Sequence, residues 1–217
     1  ILKKIEPRFI AGPPGTGKTH IYIVEELYQK ILLPKYDPNK IIILSHTNVA
    51  ADQIKDAILA LPIMKERGFT KKSMKYKICT IHSYCKNRLL HKDKFEYEDH
   101  KNLIIQNRLF GRDSSTDVDK HTLYKFRSDA KGRGKTYDEY WRICDKFSYR
   151  PYRIELIKEL LPIYEKYKKD NNKCDYTDMI EDFNHPDVRE PDIDAVIIDE
   201  CQDSNVPQTK AIEKMAT

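Results

Sequence analysis

The sequence has 217 residues, of which 40% are hydrophobic and 34% charged, and 39 basic against 34 acidic side chains give a net charge of +5. No apolar run approaches the length of a membrane-spanning helix, so we expect no membrane span, and the mild positive charge permits a nucleic-acid partner. The five cysteines form no C-x-x-C pair, which argues against a structural zinc site or a disulfide framework and favours a reducing, intracellular location.

A glycine-rich loop near the start of the chain carries the first chemical motif. Residues 12–19 fit the pattern G-x-x-x-x-G-K-[ST], between a short apolar segment at 8–11 and a helical pattern that begins at His20. Such a strand–loop–helix turn points backbone N–H groups at one centre, and the helix N-terminus adds positive partial charge. We expect Lys18 to reach the β- and γ-phosphates of a nucleotide and the Thr19 hydroxyl to ligate Mg²⁺. The residues predicted to cradle the phosphates are Gly12, Pro13, Pro14, Gly15, Thr16, Gly17, Lys18 and Thr19.

Two further strand–helix pairs follow along the chain. Residues 40–44 form a continuous apolar run typical of a buried parallel strand, and residues 49–61 have helical spacing. A basic stretch at 71–77 leads into a second apolar run at 78–81, after which His82 begins another helix. The order β-α-β-α-β-α favours a doubly wound α/β fold with a parallel sheet.

The pattern changes between about residues 92 and 172, where apolar alternation fades and charge rises. Short helical patterns, the best at 152–169, predict a mostly helical insertion into an α/β domain formed by residues 1–91 and 173–217. A group of aromatic residues in this insertion forms either its small core or a platform on which bases stack. The group comprises Tyr137, Tyr140, Trp141, Phe147, Tyr149 and Tyr152.

An acidic pair ends the last apolar run. Residues 195–198 predict a buried strand, and Asp199 and Glu200 follow it directly. Ligands of α/β proteins bind at the carboxyl ends of parallel strands, where these two side chains are expected to lie. With a phosphate loop in the same chain, Asp199 could hold Mg²⁺ through water, and Glu200 could take a proton from the water that attacks the γ-phosphate. An ordinary acidic surface turn is the alternative.

Five segments together resemble the first RecA-like domain of superfamily 1 helicases, most closely the UvrD/Rep type. Four of them are the phosphate loop and the motifs TNVAA at 47–51, TIHSYC at 80–85 and DECQDS at 199–204. The fifth, at 164–180, is similar to the segment that returns from this family's helical insertion. The resemblance implies a RecA-like P-loop NTPase fold with an inserted helical subdomain. It also implies an ATP-dependent DNA helicase that uses ATP and Mg²⁺.

The resemblance further implies where a nucleic-acid strand lies. The residues expected on the single-stranded-DNA side are His46, Thr47, Asn48, His82 and Tyr84. Gln202 is expected at the γ-phosphate, so the expected catalytic residues are Glu200, Lys18 and Gln202. His46 stands where the family usually has Phe, as does Ile81. Residues 48–53 also resemble the RNA-surveillance branch of the superfamily, so RNA is an open alternative to DNA.

Two other function classes compete with this interpretation. The phosphate loop is also common in AAA+ ring ATPases, but the separation of 181 residues between positions 18 and 199 far exceeds the few tens usual there. The Gln-Asp dipeptide after the acidic pair is also foreign to that class. A module that binds nucleotide or DNA without turnover is the second alternative. It is disfavoured because the core hydrolysis residues of the family's first domain are present.

A motor of this type needs more than these residues. The resemblance implies a second RecA-like domain with an arginine finger in the same longer chain, and a further strand beside the one that ends at Asp199. We therefore expect residues 1–217 to be incomplete at both ends, to hydrolyse ATP poorly alone and to need segments beyond Thr217. We also expect a cytoplasmic or nucleoid-associated location.

Overall fold

The computed structural model describes residues 23–25, 28–29, 34–89, 96–98, 116–143 and 151–216. The phosphate loop predicted at 12–19 and the apolar segment before it lie outside these residues. In chain order the described strands are β1 (Ile41–Ser45), β2 (Ile78–Thr80), β3 (Glu96–Glu98), β4 (Lys173–Asp175) and β5 (Ala195–Ile198). The described α-helices are α1 (Asn48–Ala60), α2 (Pro62–Glu66), α3 (Ile81–Arg88), α4 (Thr116–Gly132), α5 (Tyr137–Ile143), α6 (Pro151–Asp170), α7 (Tyr176–Phe183) and α8 (Val206–Met215).

Contacts between residues divide the chain into two units. The first unit comprises Ile1–Asn87, Arg189–Ser204 and Ile212–Thr217. The second unit comprises Arg88–Val188 and Asn205–Ala211. Residues 173–188, which we expected within the α/β domain, belong by their contacts to the second unit. The predicted domain boundaries themselves stay a prediction.

The first unit is built on a parallel sheet with the strand order β2-β1-β5. Ile43 of β1 aligns with Ile78 of β2 on one side and with Ile197 of β5 on the other. All five residues of β1 are buried, as a continuous apolar run predicts for a strand covered on both faces. Ile54 and Ile58 of α1 pack into the same core as these isoleucines. The α/β fold with a parallel sheet is therefore confirmed, together with the helix predicted at 49–61.

The second unit has its own core between α4, α5 and α6. Phe126 of α4 stacks on Trp141 of α5 with ring centroids 4.0 Å apart, and Tyr140 is buried beside them. The helix predicted at 152–169 is confirmed as α6. Tyr137, Tyr140 and Trp141 therefore serve as core rather than as an open platform. The other members of the aromatic group, Phe147, Tyr149 and Tyr152, lie outside the described side chains.

A buried ion network joins α4, α6 and α7 within the second unit. The side chain of Arg127 is 2% exposed and donates to Glu165 at 2.9 Å, to Asp175 at 2.8 Å and to Asp178. The Lys168 ammonium, also buried, lies 2.7 Å from Asp178 and 2.9 Å from Glu165. We call these five residues the ion network, and they connect α7 to the helices of the insertion.

Asp175 is the most constrained carboxylate of this network. It caps α7 by accepting the backbone N–H groups of Thr177 and Asp178, and it accepts the Tyr164 hydroxyl at 2.8 Å. Burial alone would raise the pKa of Asp175, but the two cations of the network hold this pKa at about 2. Asp175 is therefore ionised at neutral pH although it is almost fully buried.

Candidate functional site

The parallel sheet of the first unit brings three polar segments to one edge. Because β1, β2 and β5 run in the same direction, their carboxyl ends meet on the same side of the sheet. β1 is followed by His46 and Thr47, β2 by the start of α3, and β5 by Asp199 and Glu200. Parallel α/β sheets bind their ligands at this edge.

Asp199 stands directly after β5. Its backbone N–H donates to the carbonyl oxygen of Leu44 at 2.9 Å, which extends the bonding between β5 and β1 by one residue. The residue is 9% exposed. A carboxylate is a hard oxygen ligand of the type that Mg²⁺ prefers, together with water and substrate phosphates. In the part of the chain that the structure describes, no group of three or more His, Cys, Asp or Glu residues is placed to hold a metal ion.

Glu200 follows in the left-handed backbone conformation, with φ 54° and ψ 47°. This conformation costs a residue other than glycine roughly 1–2 kcal/mol, and such strained positions concentrate at functional sites. The turn leaves Glu200 exposed, and its carboxylate accepts a hydrogen bond from the side-chain amide of Gln202. The acidic pair thus presents one buried and one exposed carboxylate at the end of the same strand.

The turn after β1 contacts the segment that follows the acidic pair. His46 Nε2 lies 3.2 Å from Ser204 Oγ, a hydrogen-bond distance. Thr47 begins α1, because its hydroxyl oxygen accepts the backbone N–H of residue 50 at 3.1 Å. Asn48, in the first turn of α1, is exposed. His46 therefore joins the β1 turn to the segment of Glu200.

The first turn of α3, which follows β2 directly, contains His82 and Tyr84. Burial, and to a lesser extent the neighbouring His46, lower the pKa of His82, so its imidazole is neutral at pH 7. Tyr84 is 2% exposed, and its hydroxyl donates to Glu190 at 2.7 Å. A base could stack on the Tyr84 ring only if the ring left this position. In the described structure Tyr84 instead helps to hold α3 in place.

The structure describes part of the predicted site: His46, Thr47, Asn48, His82, Tyr84, Asp199, Glu200 and Gln202. Asp199, Glu200, Gln202, His46 and His82 belong to the segments that follow the carboxyl ends of β5, β1 and β2, at the same edge of the sheet. The predicted phosphate-loop residues, from Gly12 to Thr19 and including Lys18, lie outside the described residues. No described helix combines the length and the apolar character needed to cross a membrane.

Sequence reasoning missed two partners at this site. Ser204 contacts His46 across 158 residues of sequence, and Glu190 accepts the Tyr84 hydroxyl across 106 residues. Ser204 was visible as the last residue of a family motif, but nothing local paired it with His46. For Glu190 the sequence carries no signal that we could identify.

Residues 2–217 match the family model described as UvrD/REP helicase N-terminal domain. The chain belongs to this family. The match confirms the resemblance found in the five motifs, and with it the RecA-like fold class, because it covers the sheet and the helical insertion alike. A UvrD/REP domain is a helicase motor domain, which disfavours the AAA+ alternative. No curated protein matches the sequence.

Proposed function

We propose that this UvrD/REP-type domain binds Mg-ATP and a single nucleic-acid strand, and hydrolyses ATP to move along that strand. The observation that carries the proposal is the acidic pair after β5, with a buried Asp199 and an exposed Glu200 in a left-handed turn. An ordinary surface turn has no need of a strained residue at this point, whereas a catalytic carboxylate needs a fixed direction.

The hydrolysis step assigns a separate task to each residue. Water attacks the γ-phosphorus, its proton passes to the Glu200 carboxylate, and the bond to the β-phosphate oxygen breaks to release ADP and phosphate. Lys18 would pair with the β- and γ-phosphates, and Thr19 and Asp199 would hold Mg²⁺, which would supply positive charge to neutralise the phosphates. Gln202 meets the γ-phosphate, and its hydrogen bond to Glu200 supports this assignment.

The nucleic-acid strand is proposed to lie across the turn after β1 and the start of α3. The exposed Asn48 and the partly buried His46 and His82 offer amide and imidazole groups for phosphates and base edges. Since His82 is neutral at pH 7, it would act by hydrogen bonding or stacking rather than by charge. Thr47 fixes the start of α1, and Tyr84 contributes by supporting α3. Single-stranded DNA is the first choice of substrate, and RNA is the alternative.

The contact between His46 and Ser204 supports a link between binding of the nucleic-acid strand and hydrolysis of ATP. If a bound nucleic-acid strand moves the turn after β1, it would also move Ser204, which lies two residues after Gln202. Such a link would let strand binding change the position of the catalytic segment. A Phe at position 46, the residue that the family usually has there, could not make this contact.

The proposal includes parts that residues 1–217 do not supply. A second RecA-like domain in the same longer chain would contribute the arginine that stabilises transition-state charge, an effect of roughly 10³-fold or more. Residues 92–172 would form the inserted subdomain between the halves of the motor domain, 1–91 and 173–217. Free cysteines are typical of proteins in reducing conditions. We therefore propose an intracellular location.

The experiment that tests this function uses the complete protein. We expect ATP turnover to rise when oligo(dT) is added. The affinity for the oligonucleotide should fall steeply with salt concentration, because protein binding releases the counterions that the nucleic-acid phosphates hold. A parallel series with oligo(rU) decides between DNA and RNA. Lys18→Ala should weaken nucleotide binding itself, whereas Lys210→Ala, which changes an exposed lysine of α8, should not.

Two results would separate the proposed function from its alternatives. If neither oligonucleotide binds even at low salt, the helicase proposal fails. If both bind and ATP binds without turnover, the chain is a module that binds without hydrolysis.

A further inference from the structure

The basic stretch at 71–77 forms an ordered segment between α2 and β2. Thr70 and Ser73 exchange hydrogen bonds, with the Thr70 N–H donating to Ser73 Oγ at 2.9 Å and the Ser73 N–H donating to Thr70 Oγ1 at 3.2 Å. Met74 is fully buried in the core of the first unit and anchors the segment. Lys75 and Tyr76, which follow this anchor, are exposed. The fold therefore holds a lysine and a tyrosine side by side at the surface.

These two residues line a cleft of about 180 Å³ against α1. On the helix side, Asn48, Asp52 and Lys55 follow the i, i+4, i+7 spacing of a single helix face. The lining also includes Lys75 and Tyr76, together with Ser83 of α3. All of these residues belong to the first unit. The cleft is smaller than a typical small-molecule pocket, so it suits one portion of a larger ligand.

The chemistry of the cleft matches one nucleotide of a single strand. Tyr76 is 43% exposed, and the Lys75 ammonium lies over its ring, 5.0 Å from the ring centre. Lys75 forms no ion pair with any residue that the structure describes. Lys55 lies 2.8 Å from Asp52 and neutralises the one acid of the lining. A cation beside an exposed aromatic ring is the usual combination for holding a phosphate and a base of a single strand.

We propose that this cleft is an additional subsite for single-stranded nucleic acid, in which a base stacks on Tyr76 and its phosphate pairs with Lys75. The inference rests on the proposed function, because Asn48 belongs both to the cleft and to the proposed strand contacts. The subsite extends the bound strand from the β1 turn along the side of α1. It adds two binding residues that lie outside every family motif seen in the sequence.

The test measures the affinity of the complete protein for oligo(dT) of increasing length, with Tyr76→Ala, Tyr76→Phe and Lys75→Ala. We expect Tyr76→Ala to weaken binding of long oligonucleotides about tenfold, because one stacked base is lost, and Tyr76→Phe to preserve binding. Lys75→Ala should reduce the slope of log affinity against log salt by about 0.7, the value for one phosphate contact. Lys65→Ala, which changes an exposed lysine of α2 outside the cleft, is the control.

The length series distinguishes a subsite from a structural role. Oligonucleotides too short to reach the cleft should bind the variants and the wild type equally. Equal binding at all lengths overturns the subsite and leaves the proposed function standing, whereas a wild type that binds no single strand overturns the function as well. Equal losses at every length in Tyr76→Ala would show that Tyr76 acts on folding, and that result also overturns the subsite. An oligo(rU) series identifies which sugar the cleft accepts.

Discussion

Among the described residues, the charged side chains of the ion network and those at the sheet edge of the first unit differ in how they are paired. In the ion network of the second unit, Arg127 is 2% exposed and reaches three carboxylates. At the sheet edge of the first unit, Glu200 is exposed, sits on a strained backbone and accepts from the neighbouring Gln202. The network joins three helices, whereas Glu200 faces solvent where a ligand can reach it.

This difference shows how to distinguish polar residues that stabilise the fold from polar residues that bind a ligand or take part in catalysis. A buried charge is tolerated only when its partners satisfy it, so a fully paired cluster indicates a structural task. An exposed acid next to a buried acid, on a backbone that costs energy to hold, indicates a task that needs a ligand. Altering the network should therefore change stability, and altering the sheet edge should change activity.

The largest effect is expected from Arg127→Met. The change removes one cation and leaves Asp175, Asp178 and Glu165 with Lys168 alone, so the free energy of unfolding should fall by about 3–5 kcal/mol. Fluorescence of Trp141 during urea denaturation reports on this unit directly. Trp141 is the single tryptophan of the sequence and stacks on Phe126.

Arg142→Met is the matched control for this change. Arg142 is exposed on α5, so its replacement should alter the free energy of unfolding by less than about 0.5 kcal/mol. Equal stability of the two variants would mean that the ion network does not hold the second unit together.

A smaller effect, with a defined pH dependence, is expected from Asp175→Asn. The pKa of Asp175 is about 2 in the folded protein, below the roughly 3.9 of an unfolded chain. Its ionised form therefore contributes stability above about pH 4, of the order of 2 kcal/mol, and this contribution is lost as the pH falls toward 2. Asparagine keeps the oxygen that caps α7 but not the charge.

Urea denaturation of the wild type and of Asp175→Asn at pH 7, 4 and 3 measures this contribution. The difference in unfolding free energy should be largest at pH 7 and shrink between pH 4 and pH 3. A difference that stays constant over this range would show that Asp175 contributes through packing or capping and not through its charge.

The sequence predicted the elements that are marked by a contiguous apolar run, a periodic spacing or a motif. Apolar runs revealed β1 and β5, helical spacing revealed α1 and α6, and motif order revealed the family. It did not predict pairs that only folding brings together. Arg127 and Asp175 are 48 residues apart, and neither has an apolar or motif pattern that points to the other. The burial of Tyr84 was hidden for the same reason, since its partner Glu190 lies far along the chain.

The smallest effect is expected from His46→Ala. The change removes one hydrogen bond to Ser204 and one proposed strand contact, so affinity for single strands should fall by about two- to tenfold while Mg-ATP binding is unchanged. Ser204→Ala should leave strand affinity intact and lower only the stimulation of ATP turnover by the strand. His185→Ala, which alters an exposed histidine of the second unit, is the control. Identical stimulation in all four proteins would exclude a link through His46.

The most direct test of the account is the turnover number of Glu200→Gln in the complete protein, measured together with Mg-ATP affinity and the free energy of unfolding. The change removes the proposed base and keeps the side-chain shape, so kcat should fall by about 10²-fold or more while ATP still binds. Because Glu200 is exposed, the free energy of unfolding should stay within about 0.5 kcal/mol of the wild type, as should that of the surface control Glu213→Gln. Wild-type turnover in Glu200→Gln would contradict the account, because the strained acid at the sheet edge would then have no catalytic task.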